Sequence, residues 1–191
     1  HLEPLTTMRS AQTIAALQRT ITFWRDRRIT ITTLRMDNQR SNDLRKAMAE
    51  LQLTLSSLAP YDKSGNRAER VIRTAKNHII AVRAGFHRDC PPTYLDKGLK
   101  QMELTLNTIQ PFEYDPRISA FNGIHGYPFD FCRHPIAPVG TKVLTWDAPE
   151  HRGSWADHGV PGIYMGPAID HLRAFEVWVP SVSALRVTNT V

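Results

Sequence analysis

Apolar residues recur along this chain with two different spacings, and the pattern changes near residue 110. In the first part Ile14, Leu17, Ile21 and Trp24 fall three to four residues apart. That spacing predicts an amphipathic helix over residues 11–26, with Ser10 as its N-cap. "RITITTLRMD" alternates β-branched and polar residues, and predicts a strand ending at Asp37. Asn42 then caps a short helix whose Leu44, Ala47, Met48 and Leu51 share one face. "LQLTLSSL" reads as a second strand, "APYDKSGN" as a polar loop, and residues 66–84 as a long helix. "DCPPTY" breaks that helix, and Leu95, Leu99, Met102, Leu106 and Ile109 stripe another over residues 93–109. Alternating helix and strand over residues 1–110 predicts an α/β layered domain.

Past residue 110 the helical spacing stops. "IQPFEYDPR" and "GIHGYPFDFCRHPIAPVG" are rich in proline, glycine and aromatics, which makes residues 111–135 a connector rather than a core element. From residue 136 to 191, "TKVLTW", "GIYMG", "RAFEVWVP" and "ALRVTNTV" are short strand candidates separated by turns. Four or five such strands in so short a stretch predict a small antiparallel barrel or meander. Trp146, Trp155 and Trp178 lie here, either to fill the barrel core or, if exposed, to stack on bases or on a partner. There is no internal repeat and no low-complexity segment.

Composition changes this picture in two places. The chain has 191 residues, 41% hydrophobic and 22% charged, as in an ordinary globular protein. No stretch is apolar for long enough to span a membrane, so no membrane partner is expected. The start, "HLEPLTTMRS", has neither an initiator methionine nor a signal-peptide run, and is expected to be cut from something longer. Charge is uneven. Residues 1–110 hold 18 Lys/Arg against 10 Asp/Glu, a net of +8, whereas residues 111–191 hold 6 against 8, a net of −2. A basic first part fits a polyanion such as nucleic acid, or a merely solubilising surface. The two cysteines, Cys90 and Cys132, lack paired spacing and read as reduced thiols of an intracellular protein. His87, Cys90, Cys132 and His134 are a poor version of a zinc motif, which needs two close ligand pairs.

Candidate chemistry centres on "YDKSGNRAERVIRTAKN", residues 61–77, where one carboxylate, Glu69, stands among Arg67, Arg70, Arg73 and Lys76. A helix advances about 100° per residue, so Arg73 lies about 40° and Lys76 about 20° from Glu69. One face thus offers a carboxylate followed by cations one and two turns on, which suits a metal above a bound phosphate backbone. Two plainer roles compete. Asn66 and Glu69 have capping-box spacing, and Glu69 with Arg73 makes an ordinary i,i+4 pair. Asp37, ending its strand, is either a turn residue or a second carboxylate projecting past the sheet edge. Paired carboxylates clamp hard divalent ions about 3.5–4 Å apart for phosphoryl transfer. Tyr61 and Ser64 are turn residues or DNA contacts in a mobile loop.

"TLRMDN", a helix, a strand, "APYDKSGNRAERVIRTAKN" and a further helix together resemble the retroviral-type integrase core of copia-like LTR retrotransposons. The later "HPIAPVGTKVLTWDAPEHRGSWADHGVPGIYMGPAIDHLRAFEVWVP" is similar to the small SH3-like barrel that follows such cores. The resemblance implies a mixed α/β fold. A partial RNase H-like core would occupy residues 1–110, a connector 111–135 and an all-β SH3-like barrel 136–191. It implies an aspartate–aspartate–glutamate triad, with Asp37 as the second aspartate and Glu69 as the glutamate, holding Mg2+ or Mn2+. Arg67, Arg70, Arg73, Lys76, Tyr61 and Ser64 would meet DNA, and other integrase subunits would be partners; no small-molecule substrate is implied. The implied activity is 3′-end processing and strand transfer, in the nucleus or in virus-like particles.

Two departures qualify the match. Asp37 and Glu69 are separated by 31 residues, against about 35 in the family, which a shortened 39–43 turn would absorb. No residue matches the first aspartate. Before Asp37 the acids are Glu3 and Asp26, and Asp26, in "FWRDRR", reads as a surface charge at a helix end. Without that bridging ligand the chain by itself is expected to perform no strand transfer. The alternative is a non-catalytic nucleic-acid or protein-binding module derived from an integrase fold.

Overall fold

The computed structural model describes residues 1–5, 7, 9–36, 41–57, 65–147 and 149–191. Contacts divide the chain into two compact units, His1–Thr74 and Ala75–Val191. The first contains α1 (Ser10–Asp26), β1 (Thr33–Met36), α2 (Asn42–Glu50), β2 (Thr54–Ser57) and the start of α3 (Gly65–Ala84). α3 continues into the second unit, which also holds α4 (Leu99–Ile109), α5 (Ala120–His125), β3 (Lys142–Trp146), β4 (Gly159–Pro167), β5 (Phe175–Val179) and β6 (Ala184–Thr188).

In the first unit β1 and β2 are parallel and in register from Thr33↔Thr54 to Met36↔Ser57, with α2 as the crossover between them. A parallel pair needs such a crossover, because a tight turn cannot return the chain in the same direction. Ile21 of α1 and Leu44, Ala47 and Met48 of α2 are buried with Leu53, and Leu34 and Leu55 of the strands pack against them. Thus the stripes seen in the sequence do face one core. The ends differ in detail. Arg9, not Ser10, is the N-cap of α1 and offers no side-chain bond. Ser41, not Asn42, caps α2, its hydroxyl accepting from the Leu44 N–H at 3.2 Å. Both shifts move the helix one residue outward from the expected cap. β1 is also far shorter than the β-branched run suggested, since only Thr33–Met36 finds a partner strand among the described residues.

The second unit is built on a four-stranded antiparallel sheet in the order β3-β4-β5-β6. Thr145, Tyr164, Val177 and Val179 are almost fully buried on or beside it. Gly162 is required where β4 crosses this packing: a Cβ there would run into Val177 Cγ1. Asp147, just past β3, pairs with Arg186 of β6 at 3.5 Å. The first and last strands therefore approach each other, and the sheet curls. On its other side Ile163 and Met165 are buried with Cys90, and Phe86, Tyr94 and Trp178 pack round them.

Three expectations change here. The connector contains a helix, α5, with Ser119 capping it and Gly126 (φ 78°) closing it in the left-handed region. Six residues are too few to show a helical period, but cap serine and closing glycine were present as signals. The helix expected over 93–109 starts only at Leu99, after a 3-10 turn at Pro92–Tyr94, with Gly98 as N-cap. Finally, Trp146 (53% exposed) and Trp155 (101%) do not fill a core; Trp178 alone of the three packs inward.

Candidate nucleic-acid interface

Charge separates along the same division as the fold. Residues 1–74 carry 13 Lys/Arg against 7 Asp/Glu, a net of +6, while residues 75–191 carry 11 of each. The whole basic excess belongs to the first unit. α3 then carries cations across the division, from Arg70 and Arg73 to Lys76.

α3 forms because Ala68, Val71, Ile72, Ala75, Ile79 and Val82 recur at helical spacing. Its side chains Glu69, Arg70, Arg73 and Lys76 are all exposed. Glu69, Arg73 and Lys76 share one face by helical spacing, and Arg70 stands about 100° round from Glu69, on the flank. Ile80, exposed as well, continues the Glu69 face one turn beyond Lys76. The sequence reading missed it, though its spacing of seven from Arg73 was a usable signal.

The two plainer roles for Glu69 lose their support. Gly65 already begins α3, so Asn66 lies inside the helix rather than at its cap. Among the described residues Glu69 forms no ion pair with Arg73 or Lys76, and Arg70, Arg73 and Lys76 are likewise without carboxylate partners. By contrast, Arg19 is neutralised by Glu3 at 2.9 Å. Thr74 Oγ1 donates to the Arg70 carbonyl at 3.0 Å, so its hydroxyl serves the helix and not the exposed face. Uncompensated cations projecting from a helix into water are what an anionic backbone needs to displace its counterions.

Asp37, Tyr61 and Ser64 lie outside the described residues, and so does the side chain of Arg67. What the structure does place is the register of the two strands, with Met36 opposite Ser57. Among the described residues no group of three or more His, Cys, Asp or Glu stands together as a metal site. Cys90 is buried and Cys132 exposed, both as free thiols, and burial raises the Cys90 pKa. Nor is any helix of the described residues long and apolar enough to cross a membrane.

No protein-family model matches the sequence, and no curated protein matches it. Solved structures do match. One is a chain of the cryo-EM structure of simian T-cell lymphotropic virus intasome in complex with PP2A regulatory subunit B56 gamma. The TM-score is 0.51 at 14% sequence identity, covering 96% of this chain and 63% of that one. This chain thus spans less than two thirds of its structural neighbour, and at that identity the likeness is one of fold. Parallel βαβ unit, long exposed helix and trailing antiparallel sheet together give this chain an integrase-like fold.

Proposed function

We propose that the chain is a DNA-engaging portion of a retroelement integrase of the copia-like type. The observation that carries this reading is the exposed face of α3, where Arg73 and Lys76 stand without carboxylate partners among the described residues, in a chain of integrase-like fold. These cations would bind phosphates and set register without reading sequence, with Arg70 at the flank and Arg67, Tyr61 and Ser64 adding contacts. Partners would be DNA and further integrase subunits, and the parent protein would act in the nucleus or in virus-like particles.

In the complete protein the activity would be 3′-end processing and strand transfer. Magnesium or manganese, when bound, would polarise the phosphodiester and activate the attacking hydroxyl. Glu69 is the one described carboxylate of the proposed ligand set, and a lone exposed carboxylate does not hold a divalent ion. The site is complete only with Asp37 and a third acid in place of the family's first aspartate. Accordingly, this polypeptide with manganese should join DNA ends no faster than background in a strand-transfer assay; joining above background would refute that reading of the triad. A non-catalytic nucleic-acid or protein-binding module is the second reading, favoured by the exposed Arg70, Arg73 and Lys76, which can hold phosphates without any metal ligand.

Fluorescence anisotropy of a labelled DNA duplex, titrated from low to high salt, tests the interface. Affinity should fall linearly in log–log form, and Arg73→Ala or Lys76→Ala should each reduce the slope by about 1. Binding that ignores salt, or a slope unchanged in both variants, would sink it.

A further inference from the structure

The sheet of the second unit buries one face and leaves part of the other bare. Side chains alternate between faces along a strand, and residues directly opposite each other share a face. Thr145 and Val177 point inward and are almost fully buried. Leu144 and Trp146 of β3 therefore point outward, with Pro161 and Gly159 of β4 opposite them. Leu144, Trp146 and Pro161 are exposed, and Gly159 sets no side chain beside the Trp146 indole. On β6 the exposed Leu185 and Val187 share this outer face, as the register from Lys142 through Ile163 and Trp178 to Leu185 requires. On the inner face Arg186 reaches Asp147 at 3.5 Å, so β3 and β6 are neighbours where the sheet closes. Their outward apolar side chains thus share one stretch of surface. Phe86, Cys90 and Tyr94 cover the middle of the face, at Ile163 and Trp178, and the exposed residues lie outside that cover.

Charge decides what such a strip can meet. The loop between β3 and β4 carries Trp155, fully exposed, between two exposed carboxylates, Glu150 and Asp157. Neither carboxylate has an ion-pair partner among the described residues. The cations nearby are engaged or turned inward: Lys142 with Asp89 at 2.7 Å, Arg186 with Asp147, and Arg152 with its Nε buried. What remains for a visitor is an indole open on both sides and two free carboxylates. The negative face of an indole attracts a guanidinium, and the carboxylates add to that attraction. A phosphate backbone meets like charge here instead. Two copies related by a two-fold axis would crowd the same carboxylates against each other. The strip is also small beside the roughly 20–30 residues that each side of a standard protein–protein interface supplies. A short cationic segment matches both its size and its charge.

We propose that this outer face binds an extended, arginine-bearing peptide segment of a partner protein. Apolar side chains of the peptide lie on Leu144, Trp146 and Val187, and its guanidinium groups meet Trp155, Glu150 and Asp157. This binding is independent of DNA engagement through α3, and either can fail without the other.

The test is fluorescence anisotropy with the full 191-residue chain and a fluorescein-labelled heptapeptide, in which arginines alternate with valines between terminal glycines. A peptide with glutamate in place of each arginine and a labelled oligothymidine are the control probes. The arginine peptide should bind saturably and the glutamate peptide should not. Trp155→Ala, at a position that touches no core, and Trp146→Ala should each weaken binding about fivefold. Glu150→Gln combined with Asp157→Asn should reduce its salt dependence. Tyr114→Ala removes an equally bare ring outside this face and should change nothing. No saturable binding, a glutamate peptide bound as tightly, or an affinity unchanged in Trp155→Ala would each overturn the proposal. So would oligothymidine binding that falls in Trp155→Ala, which would give the face to nucleic acid. A dimer in sedimentation that Trp146→Ala disperses would give it to a second copy and overturn the proposal equally.

Discussion

The two units solve the same problem, burying apolar surface, with opposite means. The first, at +6, gathers one side of α1 and α2 against a two-stranded parallel sheet and leaves most of its described cations exposed. The second, neutral overall, closes a curled four-stranded sheet and spends several of its charges on internal pairs: Lys142 with Asp89, Lys100 with Glu176, Arg186 with Asp147. The contrast separates charge used for holding a fold from charge kept for a partner. A cation already matched to a carboxylate gains little from a phosphate; an unmatched one gains the release of counterions.

The largest expected effects test the two cores. Met48, almost fully buried in the first unit, should cost about 2–5 kcal/mol when cut to alanine, because the cavity collapses only in part. Gly162→Val should cost about 1–3 kcal/mol in the second by driving a side chain into Val177. Urea unfolding followed by circular dichroism measures both, and stability unchanged in either variant would show that the packing described for it is wrong.

Next comes the charge contrast itself. In the salt titration Arg173→Ala, an exposed cation of the neutral unit, should leave the slope unaltered where Arg73→Ala lowers it. Equal effects from the two would erase the distinction between the units.

Smaller effects concern pH. Burial pushes the Tyr164 hydroxyl up to about 12. Since its ordinary value is about 10, the folded state holds this proton longer than the unfolded one, and stability falls as pH rises from about 10 to 12. Tyr164→Phe should flatten that alkaline limb, at the cost of leaving the Ala137 N–H without its acceptor. The smallest effect belongs to Asp89. Its hydrogen bond from Lys142, at 2.7 Å, holds the carboxyl below its ordinary value, helped by the charges of Lys142, His87 and Arg88. A lowered value means the pair stabilises the fold fully above about pH 4 and stops doing so as pH falls through the folded value. Lys142→Met should therefore lower stability slightly at neutral pH and make no difference at the acid end; a gap that persists at low pH would assign the effect to packing instead.

The alternating helices and strands of the first part, the later run of short strands and the basic excess near the start were legible in the chain, since each rests on local spacing or on simple counting. Ile14, Leu17, Leu44 and Met48 could be assigned to buried faces because a helix repeats every 3.6 residues whatever it packs against. Short elements were harder. α5 has too few residues for a period, and among the described residues β1 kept only the four that found a partner strand. Trp146 and Trp178 illustrate the limit: both sit in β-strands of the same sheet, yet one is exposed and the other covered by Tyr94. Nothing local distinguishes them, because what covers a strand comes from elsewhere in the chain.

The same holds for the two sites. Sequence alone determined that Glu69, Arg73 and Lys76 share a helix face, because the angle per residue is a property of the backbone. That Glu69 stays clear of both cations was decided by the folded chain, where α3 begins one residue before Asn66 and the ion pair does not form. The apolar strip of β3 and β6 left no mark in the sequence as one surface. It exists because Asp147 and Arg186, distant along the chain, draw those strands together, and because the cover over Ile163 and Trp178 does not reach Leu144 and Trp146. Only three-dimensional packing decides which apolar side chains of a strand are left bare.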